Sequence, residues 1–279
     1  MPGTSPLYAA GDVPTWPVVV SAVLCIAGTV WMARTAALIY GRSILRTVRA
    51  SEGVRCSGAR PLPELPTAGA IGESGRVDRQ QWDERYSGTE FEWSVHPNQF
   101  VAAELADLPP GRALDLAAGE GRNSVWLAER GWAVTAVDFS RVGLEKGRKL
   151  SAARGVADGQ VDWVVVDLDE YQPPREAFEL VLIAYLQVGA ALRARVLAGA
   201  TAALTPGGTL LIIGHDLTNL TEGVGGPQYP EVLYTPEAIT AELPGLRILR
   251  ADRVRRTVER DGGQATAVDT LVRAIRPAR

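Results

Sequence analysis

Residues 113–122, ALDLAAGEGR, set a short apolar stretch directly before a Gly-Glu-Gly turn and the start of an amphipathic run. Gly119 and Gly121 let the backbone turn tightly and leave room for something to lie against it. The pattern downstream then alternates. A helix is expected at 123–130, a strand at 133–138, a helix at 141–154, strands at 162–166 and 178–184, a helix at 190–203 and a strand at 209–214. Such alternation builds a mostly parallel sheet with helices on both faces. The end differs in kind. Thr235 and Pro236 form a helix start, with Thr as N-cap and Pro at the first helical position. Two β-like stretches, 247–258 and 265–275, are joined across Asp261-Gly262-Gly263, a hairpin signal. The expected fold is therefore α/β and Rossmann-like, a seven-stranded sheet closed by a C-terminal antiparallel hairpin. Upstream, an opening segment containing Trp82, Tyr86 and Trp93 leads into a helix at about 98–107.

Composition excludes several functions. The chain of 279 residues is 46% hydrophobic and 22% charged, which is globular. A net charge of −3 offers no field for a phosphate backbone, so no nucleic-acid partner is expected. Cys25 and Cys56 both precede the α/β region, which therefore has no disulfide, thiolate nucleophile or cysteine metal site. With His96 and His215 as the only histidines, no multi-histidine metal site is expected either.

A lone Gly-X-Gly says little about the ligand, but two neighbours narrow it. The third glycine of a dinucleotide-binding loop would fall at Ser124, so the close approach to a pyrophosphate is not provided for. Seventeen residues beyond Gly121 the next strand ends at Asp138, where a carboxylate can accept hydrogen bonds from both hydroxyls of a ribose. Loop and acid together fit an adenosine ligand without a pyrophosphate. The competing readings are turn glycines and, for Asp138, a helix N-cap.

Residues from about 80 to 276 resemble bacterial class I methyltransferases of the tellurite-resistance and thiopurine-methyltransferase-like group. The resemblance implies S-adenosylmethionine as cofactor. It assigns motif I to residues 115–121, with Asp115, Ala117, Gly119 and Gly121 at the cofactor and Asn123 just beyond, and the ribose acid to Asp138 beside Phe139. Asp167 and Leu168 would hold the adenine, and Ala184, Tyr185 and Leu186 would stand at motif IV beside the sulfonium. Motif IV here is not the Asn-Pro-Pro-Tyr or Asp-Pro-Pro-Tyr of enzymes that methylate exocyclic amines of nucleic-acid bases. The expected acceptor is thus a small molecule such as a thiol, a chalcogen oxyanion or a xenobiotic.

Methyl transfer from a sulfonium is a direct displacement, and a soft nucleophile needs no base, whereas a hydroxyl or amine does. His215 and Tyr185 are the candidate catalytic residues. His215 adjoins Asp216 in sequence, yet neighbours on a strand point to opposite faces, so a structural histidine is the alternative. Residues 215–233 are long, polar and glycine-rich, suited to covering a ligand or to being a surface loop. Trp82, Tyr86 and Trp93 lie where the resembled family has its lid; Trp82 is expected to pack, Tyr86 and Trp93 to line the pocket. Two other functions stay open: an NAD-binding oxidoreductase, and a cofactor-binding, non-catalytic partner tethered to a membrane.

Residues 18–40 form an apolar run broken only by Arg34, about the 20 residues needed to cross a bilayer. Trp16 and Tyr40 flank it, and Arg42, Arg46 and Arg49 follow it, which predicts an N-out, C-in helix with the α/β domain in the cytoplasm. The run and its tail also resemble the last membrane helix of ABC-2-type transporter permeases. The expected division is a segment 1–49 with this helix, a flexible Gly/Pro/Ser linker at 50–77 and a catalytic domain at 78–279. The competing readings are a short apolar helix lying on the domain, or upstream sequence that the native protein does not carry, with Val77 as an alternative start.

Overall fold

The computed structural model describes residues 78–260 and 263–278. The expected membrane helix, its ABC-2 resemblance and the linker lie outside the described residues. Among the described residues no helix is long and apolar enough to cross a membrane.

In chain order the elements are α1 (Arg79–Tyr86), α2 (Gln99–Leu105), β1 (Arg112–Leu116), α3 (Arg122–Glu129), β2 (Ala133–Asp138), α4 (Arg141–Ala153), β3 (Val161–Val165), β4 (Phe178–Ala184), α5 (Ala190–Ala203), β5 (Leu204–His215), α6 (Asn219–Glu222), α7 (Pro236–Ala241), β6 (Arg247–Arg260) and β7 (Gly263–Ile275). The strands form one seven-stranded sheet in the order β3-β2-β1-β4-β5-β7-β6. β1 to β5 run parallel, and β7 pairs antiparallel with both β5 and β6. The expected hairpin is therefore present, with β7 inserted between β5 and β6.

The side-chain period of two explains the layers. Along β1 and β4, Leu114, Leu116, Val181 and Ile183 face one layer, where they pack with Val196, Leu197 and Ala200 of α5. Their neighbours Ala113, Leu180 and Leu182 face the other, with Val101 and Leu105 of α2 and Leu127 and Ala128 of α3. Both faces are buried, so these central strands read as apolar runs. Thr235 caps its helix as expected, and Asn98 and Ser140 cap two others. The Asn98 side chain accepts from Phe100 N and Val101 N, Ser140 from Gly143 N, and Thr235 from Ala238 N.

Two elements differ from expectation. β5 begins at Leu204, not 209, because Leu204 pairs with Phe178 and residues 207–208 bond to Arg276 across the sheet. Helix α1 lies in the opening segment, for which no element was expected. Asp78 caps it, accepting from Gln80 N at 2.9 Å, and it buries only Tyr86, too little for an apolar period.

Candidate functional site

The C-terminal ends of β1, β2 and β4 meet at the Gly-Glu-Gly loop, the position where open parallel sheets place their ligands. Ala117 after β1 (φ 60°) and Tyr185 after β4 (φ 62°) both hold left-handed backbone without being glycine. Such conformations cost about 1–3 kcal/mol each and collect at functional sites.

The two loop glycines have different tasks. Gly119 (φ 56°) passes directly under Tyr86, whose hydroxyl would stand 3.0 Å from a Cβ. Gly121 (φ 73°) lies against the Trp163 indole: a Cβ there would come within 2.6 Å of the ring, and Gly147 of α4 is pinned the same way at 2.5 Å. Trp163 of β3 thus fills the space that two glycines leave.

The loop's N–H groups are largely spent inside the fold. Ala118 N donates to Val137 O at 3.0 Å, Gly121 N to Ala118 O at 2.9 Å, and Gly119 N to the Asp138 carboxylate at 2.8 Å. A pyrophosphate needs such donors free, as in a backbone nest or at a helix N-terminus. The next side chain adds a negative charge: Glu120 is buried and accepts from Glu92 N (2.9 Å) and Lys146 Nζ (2.9 Å).

Asp138 is buried at the end of β2, its other oxygen accepting from Ser140 N at 2.8 Å. The carboxylate therefore braces the loop against β2 while each oxygen keeps a lone pair for a further donor. Burial pushes its pKa up to about 6, against the pull of its two amide partners. Asp115 of β1 is also buried, and its carboxylate accepts from Ser124 Oγ at 2.6 Å, so the serine that breaks the three-glycine pattern secures this acid. Burial raises Asp115 to about pH 7. A raised pKa means that the folded chain holds a proton the unfolded chain releases, so the associated stability is complete below about pH 4 and lost as pH rises through 7. Asp115→Asn should gain on the parent by about 1.4 kcal/mol per pH unit across that window. Urea unfolding of both proteins at pH 5, 6 and 7 checks this; a constant difference contradicts it.

The other expected contacts are spread along the sheet edge. Asn123 is buried and its Oδ1 accepts from Asn98 N at 2.9 Å. Phe139, Ala117 and Ala184 are partly buried beside the loop. Asp167 is partly exposed, its Oδ1 accepting from Asp169 N, and Leu168 packs on the core. Of the aromatics, Tyr86 is buried on the loop, stacked on Trp82 with ring centroids 5.4 Å apart. Trp93 is 44% exposed, outside them.

His215 and Tyr185 do come together, with ring centroids 5.0 Å apart. Asp216 is not the partner of His215, as strand geometry requires; it bonds to Thr270, Thr218 and Arg253 on the other face. The partner is Asp269, opposite His215 in the β5–β7 register. Asp269 Oδ1 lies 3.3 Å from His215 Nδ1, off the line of a hydrogen bond, and Oδ2 accepts from Tyr185 Oη (2.9 Å) and Arg256 Nε (2.6 Å). Burial works to raise the Asp269 pKa, but His215, Arg256 and Tyr185 outweigh it and hold the acid below the ordinary carboxylate range. Burial beside Asp269 raises Tyr185, so it remains a phenol that can orient but takes no proton at neutral pH. Asn98 Nδ2 donates to the same hydroxyl at 3.1 Å, tying the segment before α2 to the end of β4.

Over residues 113–208 the chain matches the family described as a methyltransferase domain. That stretch, about a third of the chain, is similar to a methyltransferase domain. A curated relative, the ubiquinone/menaquinone biosynthesis C-methyltransferase UbiE of Desulfotalea psychrophila, is 35% identical over 113 residues, which are 39% of this chain and 44% of the relative. The chain thus spans less than half the length of that relative. A solved structure from work on the conversion of a disulfide bond into a thioacetal group during echinomycin biosynthesis superposes with a TM-score of 0.58 at 21% identity, covering 71% of this chain and 92% of that one. The N-methyltransferase NodS from Bradyrhizobium japonicum WM9, in complex with S-adenosyl-L-homocysteine, superposes with a TM-score of 0.52 at 16% identity, covering 71% and 98%. At those identities the likeness is one of fold.

Around the glycine loop and the ends of β4 and β5, three features escaped the sequence. Asp269 had a signal, a single acid inside the apolar strand AVDTLV. Arg122 and Glu120 were read only as loop neighbours, and their surroundings depend on α1 and β6, far away in sequence.

Proposed function

We propose that this chain is an S-adenosylmethionine-dependent methyltransferase acting on a small-molecule acceptor. One observation carries the reading: the glycine loop is braced on Asp138 with its amides used internally and Glu120 in its turn, an arrangement suited to a ribose and unsuited to a pyrophosphate. This favours an adenosyl cofactor over NAD. The family match at residues 113–208 and the likeness in fold to a structure holding S-adenosylhomocysteine support the same choice.

The residues present fit that cofactor. Asp138 would take the ribose hydroxyls, Asp167 and Leu168 would stand at the adenine, and the ends of β1 and β4 would flank the methionine part. Bound there, the cofactor supplies an electrophilic methyl group on a sulfonium. The chain's own contribution is alignment and the exclusion of water, which can supply most of the acceleration of a direct displacement. Tyr86 and the 88–97 segment cover the loop. Tyr185, fixed from two sides, orients the acceptor. His215, set against an ionised Asp269, can take a proton from a hydroxyl or amine acceptor. A thiolate or another soft anion would leave His215 idle.

Incubation with methyl-labelled S-adenosylmethionine and a panel of thiol, amine and oxyanion acceptors tests this. Label should reach at least one class with matching S-adenosylhomocysteine release. Binding of the cofactor without transfer to any acceptor would favour a non-catalytic partner instead. His215→Gln should cut turnover about 10²- to 10⁴-fold for a hydroxyl or amine acceptor and leave a thiol acceptor nearly unchanged, the range expected of general-base catalysis.

A further inference from the structure

Arg122 opens α3 immediately after the Gly-Glu-Gly loop. It is partly buried, and burial lowers the pKa of its guanidinium, with Tyr185, Arg256, Glu120 and Tyr86 as its electrostatic neighbours. No hydrogen bond or ion pair joins it to any described residue. The other cations of the site are all partnered: Arg256 with Asp269 (2.6 Å), Lys146 with Glu120 (2.9 Å) and Arg85 with Glu92. Of the acids whose charge reaches it, Glu120 already holds Lys146 and Asp115 accepts from Ser124, so Arg122 is left beside the loop without a hydrogen-bonded acceptor. A guanidinium withdrawn from water and left without an acceptor is costly, and its planar fork matches carboxylates and other oxyanions bidentately.

We propose that Arg122 is an anion receptor, binding a carboxylate or similar oxyanion of a ligand in this site. The inference rests on the methyltransferase reading for its two sources of that anion, the α-carboxylate of the cofactor and an acidic group on the acceptor. A bond of this kind should alter affinity about tenfold or more, from the ~1.5–3 kcal/mol of a charged hydrogen bond.

Isothermal titration of the full chain with S-adenosylhomocysteine, 5′-methylthioadenosine, sulfate and benzoate separates the cases, comparing wild type, Arg122→Met and Arg122→Lys. 5′-Methylthioadenosine shares the nucleoside and lacks the carboxylate. If the anion is the cofactor's, Arg122→Met weakens S-adenosylhomocysteine at least tenfold, leaves 5′-methylthioadenosine unchanged, and Arg122→Lys recovers part of the loss. If it is the acceptor's, both nucleosides bind Arg122→Met normally, while sulfate or benzoate binding to the S-adenosylhomocysteine-saturated protein disappears. Unchanged binding of all four probes, or equal loss of both nucleosides, overturns the proposal. A wild-type protein that binds neither nucleoside overturns the methyltransferase reading instead, and the sulfate and benzoate titrations, which need no nucleoside, then decide Arg122 alone.

Discussion

Asp138→Ala is expected to weaken S-adenosylhomocysteine binding at least 100-fold. The carboxylate does two jobs through one group: it receives Gly119 N and Ser140 N, which fixes the loop against β2, and it keeps a lone pair on each oxygen for a ribose. Truncation leaves two buried N–H groups unpaired and removes the ligand's acceptor. At about 1.5–3 kcal/mol for a hydrogen bond to a charged group, losing two such bonds corresponds to about 10²- to 10⁴-fold. Asp138→Asn should recover little, because its amide would present N–H to the N–H of Gly119 or Ser140. The pH dependence adds a second check. With the Asp138 pKa near 6, the proton competes with the ligand below that value, so the dissociation constant should rise up to tenfold per unit as pH falls below about 6. In Asp138→Ala that dependence should vanish.

The second large effect concerns the fold. Gly121→Ala puts a Cβ within 2.6 Å of the Trp163 ring and 3.1 Å of the Gly147 Cα, at a φ of 73°. Left-handed backbone costs a non-glycine residue about 1–2 kcal/mol, and overpacking a tight site about 1–3 kcal/mol. Together these should lower stability by about 3 kcal/mol and Tm by about 10 °C for a domain of this size. The partition is testable because the atoms in the way belong to the six-membered ring of the indole. Trp163→Phe in the Gly121→Ala background should restore the overpacking share while the backbone share remains. Calorimetric melting of the three variants measures both. Equal destabilisation with and without Trp163 would show that the backbone alone requires the glycine.

The parallel part of the fold was legible because its central strands are buried on both faces and so stand out as apolar runs between helices. Strands 133–138 and 178–184 and helix 190–203 match residue for residue. The hairpin was legible from Asp261-Gly262-Gly263. Helix α1 was not, since Tyr86 is its only buried residue, too little for an apolar period. The site divides the same way. Gly119, Gly121 and Asp138 are close in sequence to the turn they build, and their spacing is informative. His215 and Tyr185 could be named but not connected, because the acid that joins them, Asp269, comes from a strand more than fifty residues later and is set opposite His215 only by the β5–β7 register. Ser124 was read as a glycine that is absent; in the structure it is the donor that secures Asp115.

The central claim is that this loop accepts an adenosyl group bearing no pyrophosphate. Isothermal titration of the full chain with S-adenosylhomocysteine, and separately with NADH, addresses it directly. One S-adenosylhomocysteine should bind per chain with no heat from NADH, and saturable NADH binding in the absence of S-adenosylhomocysteine binding would contradict the account.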